Sequence, residues 1–427
     1  MDLIATRFQI DPDFWGKVYS WIQSFPFSCI LDGNGHEIPF GSAFGKIAAV
    51  GSTELKWTQH QFFSTFSQSQ KAKNVFGFLS YELKNEIENL TSGNQNTLGF
   101  PDAIFFQPEV VIEELNGAIE ITAVAPGDIF EQILKCSVFQ PKDLKSVVFS
   151  KILEKETYWE SIEKIKELIS SGLVYELNYC QFFETSKAFC GLSAFVELKK
   201  NLPMPFSAWF KANEFEIASA SPERFLKKTG SKLLAQPMKG TAKRGENGVE
   251  DRLQIKALFE SEKERAENLM IVDLVRNDLA KVSETGTTKV EELFGIYPFP
   301  TVFQMVSTVS AQLDPEKTWL DAIQASFPMG SMTGAPKIEV MQQIEKLENR
   351  NRGAFAGALG YVLANEDFDF NVLIRSLFIN HKKNKAGFAV GSAITIDSNP
   401  EDEWTECQNK VEGMLTLFGS SWEEIQS

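Results

Sequence analysis

The chain has 427 residues, of which 43% are hydrophobic and 23% charged, a globular composition that excludes a disordered or low-complexity chain. Lysine and arginine number 42 and aspartate and glutamate 57, which gives a formal net charge of −15. A surface this acidic argues against non-specific binding to nucleic acid or to an anionic membrane.

The cysteines and the start of the chain indicate where the protein resides. Its five cysteines are widely spaced and contain no C-x-x-C pair, which argues against a disulfide framework or a zinc site and suits a reducing compartment. The first residues lack the basic flank and apolar run of a signal peptide, and no apolar stretch reaches membrane-spanning length. We therefore expect a soluble, cytoplasmic protein.

The predicted elements divide into two regions, residues 1–147 and 148–427. The first region contains short apolar strands, at 103–106 and 119–123, separated by polar loops. The second region opens with a helix whose apolar face includes Tyr158 and Ile162 and which ends at Gly172. Strands at 206–210, 215–218 and 232–235 follow, and then one long helical stretch at 249–282 and a further helix after Pro336.

Three late strands, at 353–363, 369–378 and 387–396, precede a final helix. Asn399 is a suitable N-cap for that helix, and Pro400 suits its first turn. Because most strands follow one another directly or are separated by long helices, we predict an α+β fold of antiparallel sheets with outer helices.

Two pairs of glutamates on predicted helices have the spacing of metal ligands. The members of each pair lie three residues apart on one helix face, and together they are Glu264 and Glu267, and Glu403 and Glu406. Oxygen ligands of this kind suit Mg²⁺. The same spacing occurs on solvated helices, as we expect for Glu345 and Glu348. Each of the two candidate pairs, taken alone, could therefore consist of solvated surface glutamates that bind no metal.

The three histidines, His36, His60 and His381, lie in no recognisable motif. If the protein is an enzyme, its chemistry is therefore expected to depend on lysine, glutamate, aspartate and a hard metal ion. A glycine-rich loop at 327–337 leads into a helix that holds Pro336 and Lys337 in its first turn. Backbone N–H groups at such a helix start favour an anion, although a plain tight turn has the same sequence.

Lys239 and Glu223 could take part directly in chemistry. Lys239 lies where an apolar strand gives way to a loop, and desolvation beside other cations would lower its pKa and make it a nucleophile. Glu223 follows a small-residue strand and could act as a general acid if its surroundings keep it protonated. An exposed loop lysine and a salt-bridged loop glutamate are the alternatives.

Arg375 lies in the predicted strand 369–378. Alternate residues there are apolar and define one face of the strand, namely Phe368, Phe370, Val372 and Ile374. Arg375 would therefore point to the opposite face. An arginine on an inner strand needs a carboxylate partner, which either the protein or a ligand can supply.

Taken together, these segments resemble the chorismate-binding enzymes, which include anthranilate, aminodeoxychorismate, isochorismate and salicylate synthases. The matching stretches occur in family order between about residues 156 and 415: YELNYCQ (175–181), SASPERF (219–225), QPMKGTAKRG (236–245), NLMIVDLVRNDL (268–279), FPMGSMTGAPK (327–337), IRS (374–376) and the helix with Glu403, Glu406 and Lys410. The resemblance implies a two-lobed α+β sandwich.

The resemblance also implies a role for each matching residue. Mg²⁺ would be held by the four glutamates, Glu264, Glu267, Glu403 and Glu406, and would bind the ring carboxylate of chorismate. Further residues would surround the substrate: Gly240, Thr241, Ser331, Thr333, Gly334, Arg375 and Lys410. Glu223 matches the acid that helps the C4 hydroxyl leave.

Position 239 distinguishes branches of the family, because anthranilate synthases usually have alanine there and aminodeoxychorismate synthases have lysine. Lys239 therefore implies amination of chorismate at C4 through a covalent adduct at C2. The product would be 4-amino-4-deoxychorismate, for 4-aminobenzoate and folate synthesis. The alternatives are an anthranilate synthase large subunit, which Lys239 opposes, and a non-catalytic homologue that binds chorismate or another anion.

The chain departs from the family at three positions. Glu176 replaces the glutamine of many aminating relatives and the lysine of isochorismate-forming ones, Gln304 replaces a common histidine, and Phe355 replaces a tyrosine. No cysteine has the glycine-flanked turn of a glutaminase nucleophile, so we expect a separate glutamine amidotransferase subunit to supply ammonia. The stretch NLPMPF (201–206) resembles part of the family's tryptophan pocket, so tryptophan is a further candidate ligand.

Overall fold

The computed structural model describes residues 3–58, 61–69 and 73–425, and His60 lies outside these ranges. Within them, the strands are β1 (Ile4–Phe8), β2 (Phe27–Asp32), β3 (Ile47–Gly51), β4 (Thr53–Trp57), β5 (Val75–Leu79), β6 (Ala103–Gln107), β7 (Val110–Leu115), β8 (Ala118–Ala123), β9 (Ser150–Lys151), β10 (Glu176–Thr185), β11 (Phe206–Ala212), β12 (Phe215–Ser221), β13 (Arg224–Thr229), β14 (Lys232–Gln236), β15 (Met238–Lys243), β16 (Lys289–Pro298), β17 (Val302–Gln312), β18 (Gly334–Ala335), β19 (Ala358–Val362), β20 (Phe368–Val372), β21 (Ser376–Asn380) and β22 (Lys385–Ile394).

The α-helices of the same ranges are α1 (Phe14–Ile22), α2 (Phe62–Ser69), α3 (Lys84–Ile87), α4 (Pro126–Leu134), α5 (Lys155–Ser170), α6 (Gly191–Asn201), α7 (Gly248–Glu260), α8 (Glu262–Ala280), α9 (Trp319–Ser326), α10 (Lys337–Leu347) and α11 (Pro400–Leu415). None of the described helices combines the length and the apolar character needed to cross a membrane. The predicted cap of the last helix is confirmed, because the Asn399 side chain accepts hydrogen bonds from the N–H groups of Glu401 and Asp402.

The strands form two large sheets. One has twelve strands in the order β1-β8-β7-β3-β2-β11-β12-β21-β22-β10-β18, with β9 paired to β10. The other has ten strands in the order β15-β17-β14-β13-β20-β19-β5-β6-β4, with β16 paired to β17. Neighbouring strands run antiparallel, for example β10 with β22 and β19 with β20. The predicted α+β fold is confirmed, and each sheet takes strands from both sides of residue 147.

Two layers of apolar side chains hold the fold together. Because side chains alternate along a strand, neighbouring residues of β11 enter different layers. Phe210 lies between the two sheets, where its ring meets that of Phe78 from the other sheet at 5.5 Å. Trp209 faces the opposite side and packs under the helices that cover the twelve-stranded sheet. Burial of each such side chain contributes about 1.5–3 kcal/mol.

Two predicted elements are interrupted in the structure. The helical stretch 249–282 is two helices, because Ser261 adopts an extended backbone and its hydroxyl caps α8 by accepting from the Glu264 N–H group. The strand 369–378 is also two strands, since β20 belongs to the ten-stranded sheet and β21 to the twelve-stranded sheet. Arg375 lies at the crossing with a φ of +49° rather than within a strand.

The expectation that Glu345 and Glu348 are solvated surface charges is wrong. Glu348 is only 3% exposed and accepts hydrogen bonds from the Arg352 Nε (2.8 Å) and from the Cys180 N–H group (3.1 Å). Glu345 accepts hydrogen bonds from the backbone of residues 93 and 94. Helical spacing alone therefore did not show which side of this helix is covered by other elements.

A buried ion pair connects two strands of the ten-stranded sheet. Arg224 of β13 donates from Nε to Asp369 Oδ1 (2.8 Å) and from Nη2 to Asp369 Oδ2 (3.0 Å). Both side chains are almost fully buried, at 0% and 2% exposure. Removal of one partner would leave the other charge without compensation in the interior.

We predict that Asp369→Ala lowers the free energy of unfolding by about 3–5 kcal/mol, because it leaves the Arg224 guanidinium buried and unpaired. Urea unfolding followed by circular dichroism measures this change. Lys256→Ala is the control, since the ion pair between Lys256 and Glu260 is exposed and its loss should cost less than about 1 kcal/mol. Equal effects of the two substitutions would contradict the prediction.

Candidate active site

The candidate active site lies where the two sheets approach each other. Lys239 of β15, in the ten-stranded sheet, places its Nζ 2.9 Å from Oε1 of Glu176 of β10, in the twelve-stranded sheet. The two side chains are 11% and 1% exposed, so the ion pair is largely shielded from water. This ion pair joins the part of the site on the ten-stranded sheet to the part on the twelve-stranded sheet.

The loop that precedes α10 packs directly on Glu176. Its Gly334 pairs with β10 and has a φ of +141°, a conformation that glycine tolerates far better than other residues. A Cβ at this position would lie 2.1 Å from the Glu176 carbonyl oxygen. Lys337, which we expected beside a bound anion, forms a buried ion pair with Asp278 instead.

The surroundings of Lys239 correct one expectation from the sequence. Its charged neighbours are carboxylates rather than cations. Burial alone would lower the pKa of Lys239, but the negative charges of Glu176, Glu267 and Glu406 outweigh burial and raise that pKa above its ordinary value. In the absence of ligands the amine is therefore protonated, and it must lose a proton before it can attack carbon.

Glu223 has the properties expected of a general acid. Its side chain is 4% exposed, and Oε1 accepts a hydrogen bond of 2.7 Å from the hydroxyl of Ser331. Burial raises the pKa of Glu223 to about 7, although Ser331 and the charge of Lys239 oppose the shift. A substantial fraction of this carboxyl group is thus protonated near neutral pH and can donate a proton.

Gly240 and Thr241 are held in place by Gln304. The Gln304 amide nitrogen donates to the Gly240 carbonyl (2.9 Å), while its amide oxygen accepts from the Thr241 hydroxyl (3.1 Å). Gly240 has a φ of +93°, and a Cβ there would lie 2.9 Å from Oε2 of Glu264. An amide can donate and accept at once, so Gln304 serves as a structural support at this position.

The four glutamates that we expected to bind Mg²⁺ project from α8 and α11. Burial, reinforced by the charges of Glu406 and Glu403, raises the pKa of Glu264, and burial is also the main cause that raises the pKa of Glu267 to about 7. Glu406 forms an ion pair with Lys410 (2.6 Å), and the net effect lowers the pKa of Glu406 despite its burial.

These glutamates interact without forming a closed metal site. Across the described ranges, no three or more histidine, cysteine, aspartate or glutamate side chains lie close enough together to hold a metal ion. Glu403 is 5% exposed, and its Oε2 is buried without a hydrogen-bond partner in the described structure, whereas Oε1 accepts from Ser398 (2.8 Å). The available donors are carboxylate oxygens that share one region, which fits the chemistry of Mg²⁺. Binding would require the side chains to move closer together.

Arg375 carries a positive charge that no carboxylate of the described residues pairs with. Its hydrogen-bond contact among these residues is from Nη1 to the Sδ of Met204 at 3.8 Å, and burial lowers the pKa of its guanidinium. The sequence predicted a carboxylate partner from the protein or a ligand, and the ligand alternative remains.

Two further residues predicted to surround the substrate bind backbone carbonyl groups. Lys410 donates to the Gly391 carbonyl (2.6 Å), and the Thr333 hydroxyl donates to the Met329 carbonyl (3.2 Å).

A cavity lies beside the segment 201–206. It measures about 250 Å³, and its lining includes His36, Phe206 and Met238. Met238 lines this cavity, while the next residue, Lys239, pairs with Glu176. Tryptophan binding at this segment stays a prediction.

Phe355, one of the three departures from the family, is 3% exposed and belongs to the apolar core.

Comparison with known proteins gives consistent matches. Residues 29–416 match the family described as chorismate binding enzyme. The chain is 32% identical over 345 residues to aminodeoxychorismate synthase component 1 of Escherichia coli, which covers 80% of this chain and 76% of that protein. It is 31% identical over 356 residues to anthranilate synthase component 1 of Thermus thermophilus, with the same coverage of 80% and 76%.

The fold has a close counterpart among solved structures. The crystal structure of anthranilate synthase component I from Streptococcus pneumoniae superposes with a TM-score of 0.76 at 25% sequence identity. The superposition covers 89% of this chain and 94% of that chain, so the two sheets and their helices are shared almost throughout.

We predict that Glu223→Gln removes part of the pH dependence of stability. The folded pKa of Glu223, about 7, exceeds its ordinary value of 4.5, so the folded state binds more protons between these values. Stability therefore falls as pH rises from 4.5 to 7, by at most about 3 kcal/mol from this group.

The measurement is urea unfolding of the wild type and the variant at several pH values across that range. The variant should show the shallower decline, while the exposed control Glu401→Gln should follow the wild type. Identical slopes for the wild type and Glu223→Gln would contradict the pKa assigned to Glu223.

Proposed function

This chain belongs to the family of chorismate-binding enzymes, and from that premise we propose that it aminates chorismate at C4 to give 4-amino-4-deoxychorismate. This product would serve the synthesis of 4-aminobenzoate and folate. The observation that carries the proposal is the position of Lys239, a largely buried amine among carboxylates and electrostatically coupled to the protonatable Glu223. A nucleophile and an acid in one site are what displacement of a ring hydroxyl requires.

The unpaired charge of Arg375 supports an anionic substrate. Chorismate has two carboxylates, and a partly buried guanidinium without a protein partner gains most from a ligand that brings one. Lys410 adds a second positive charge on α11. The net charge of −15 makes such local cations necessary, because the protein as a whole repels an anion.

In the proposed first step, the unprotonated amine of Lys239 forms a C–N bond at C2. Both ring double bonds shift, the C4–O bond breaks, and the hydroxyl leaves as water with the proton of Glu223. In the second step ammonia forms a C–N bond at C4, the double bonds shift back, and the bond between C2 and Lys239 breaks. The new ammonium group returns one proton to Glu223, so chorismate and ammonia give the product and water.

We also propose that Glu264, Glu267, Glu403 and Glu406 hold Mg²⁺. The ion would supply positive charge for the ring carboxylate of the substrate. Support comes from the chemistry of the donors and from the raised pKa values of Glu264 and Glu267, because burial, with smaller contributions from neighbouring carboxylates, disfavours their ionised forms and a bound cation would favour them. Without a cation, repulsion between their negative charges also keeps these side chains apart.

A separate glutamine amidotransferase subunit is the proposed source of ammonia. A glutaminase needs a reactive thiolate. Cys29, Cys180 and Cys407 are buried, and burial raises the pKa of each thiol, to about 11 for Cys407. The name component 1 of the Escherichia coli relative also denotes one part of a larger enzyme.

We predict that the purified chain, with chorismate, Mg²⁺ and an ammonium salt, produces aminodeoxychorismate without a partner. Lys239→Ala should reduce the rate by at least about 100-fold, because it removes the proposed nucleophile. Glu223→Gln should reduce it by about 100-fold or more, because it removes the acid. Chromatography of the products measures both effects.

The exposed lysine variant Lys256→Ala is the control and should retain the wild-type rate. Anthranilate and pyruvate as the main products would identify an anthranilate synthase, the activity named for the Thermus thermophilus relative. A wild-type chain that binds chorismate but forms neither product would indicate a non-catalytic binder.

We predict that removal of divalent metal with EDTA abolishes activity and that Mg²⁺ restores it. Calorimetry of the apoprotein should show Mg²⁺ binding that weakens at least tenfold in Glu403→Gln, because the variant loses one anionic oxygen ligand. Glu401→Gln, on the same helix but in an exposed ion pair with Lys155, is the matched control. Restoration by zinc but not by magnesium would contradict the oxygen-ligand site.

A further inference from the structure

We propose that Glu176 is a positioning residue. Through a direct ion pair it anchors the amine of Lys239 in the site and keeps that amine protonated until substrate enters. This inference rests on the proposed role of Lys239 as the nucleophile. It concerns a residue at which the chain departs from its relatives, and it assigns that residue a task that the family resemblance did not supply.

The geometry of the pair is the first argument. Oxygen Oε1 of Glu176 lies 2.9 Å from the Nζ of Lys239, and among the described residues Lys239 makes no other ion pair. The two residues lie on strands of different sheets, so the contact fixes the position of the amine relative to the other sheet. A flexible lysine side chain gains a defined position only through such a contact.

The rigidity of Glu176 is the second argument. The residue pairs with Ala335 across the β10–β18 ladder, and the preceding Tyr175 N–H group donates to the Ala335 carbonyl at 2.7 Å. On this side Gly334 approaches so closely that any side chain there would collide with the Glu176 carbonyl. The backbone of Glu176 is therefore held in place, which anchors its carboxylate to this side of the site.

Among the described residues, the carboxylate of Glu176 has few other partners that could compensate its charge. Its side chain is 1% exposed, and Oε2 is buried without a hydrogen-bond partner in the described part of the chain. A buried carboxylate is costly unless a cation compensates it, and Lys239 is the cation in contact. Glu176 therefore has Lys239 as its compensating charge, and it stabilises the charged form of Lys239.

Other carboxylates also act on Lys239. Glu267 from α8 and Glu406 from α11 raise its pKa, and its charge interacts with Glu264 from α8 and with Glu223 from the connection between β12 and β13. The charges of Lys263, Lys410 and Glu403 interact in turn with Glu264 or Glu406. Within the described ranges, Glu176 is the acidic residue that forms an ion pair with the amine, so its charge should contribute most to proton retention.

The test measures how readily Lys239 reacts with cyanate, a small reagent that modifies only the unprotonated amine. The full chain is treated at pH values from about 6 to 10, and mass spectrometry follows the peptide that contains Lys239, with exposed Lys256 as an internal reference. The variants are Glu176→Gln, which keeps the shape and loses the charge, and Glu176→Ala, which loses both. Glu184→Gln is the matched control, because Glu184 lies on the same strand and pairs with Arg350.

We expect Glu176→Gln to shift the pH profile of Lys239 downward by about one unit, which makes modification about tenfold faster at a given pH below the midpoint. Glu184→Gln should follow the wild type. In the amination assay, Glu176→Ala should lower kcat more than Glu176→Gln does, with little change in KM for chorismate, because only the glutamine retains an acceptor for the amine.

A Lys239 profile in Glu176→Gln that coincides with the wild-type profile would overturn the inference, and so would equal kcat values for wild type and Glu176→Ala. The labelling needs no chorismate, so it is independent of the proposed function. A shifted profile in a chain that makes no aminodeoxychorismate would support the role of Glu176 and refute the amination proposal.

Discussion

The ion pair between Lys239 and Glu176 is the constraint on which the site depends, because it connects the two sheets at the point where chemistry is proposed. A buried amine among carboxylates is stable as a cation and unreactive in that form. Any ligand or metal ion that neutralises the surrounding carboxylates would weaken their hold on its proton. The same cluster that keeps the resting amine inactive can therefore release it when positive charge and substrate arrive.

The fold serves this arrangement by bringing distant segments to one place. The strand that carries Glu176 also supports the loop of Gly334 and Ser331, and Ser331 in turn donates to Glu223. A displacement of this loop would thus disturb the acid and the contact partner of the nucleophile together. Close approach is possible because Gly334 has no side chain, which links one glycine to the alignment of the whole site.

Much of the fold was predictable because it depends on local pattern. The antiparallel strands and the Asn399 cap followed from periodicity and capping. The break at Ser261 was missed because a single capping serine hardly changes a long helical pattern. The burial of Glu348 was also missed, because its partner Arg352 becomes visible only when other elements cover that face.

The sequence offered candidate site residues but could not show how their side chains interact. Motif resemblance selected Lys239 and Glu223, yet nothing local could show that Glu176, from another sheet, provides the charge beside Lys239. The role of Gln304 was hidden for the same reason, since its two hydrogen bonds join residues more than sixty positions away. Pairings between distant strands depend on tertiary structure, and a single sequence carries little signal for them.

If Lys239 forms a temporary bond to the substrate, mass spectrometry after incubation with chorismate in the absence of ammonia should detect it. We expect an added mass on the intact chain, located by peptide mapping at Lys239 and lost when ammonium is supplied. Amination of chorismate with no added mass at Lys239, or with the mass on another residue, would contradict it.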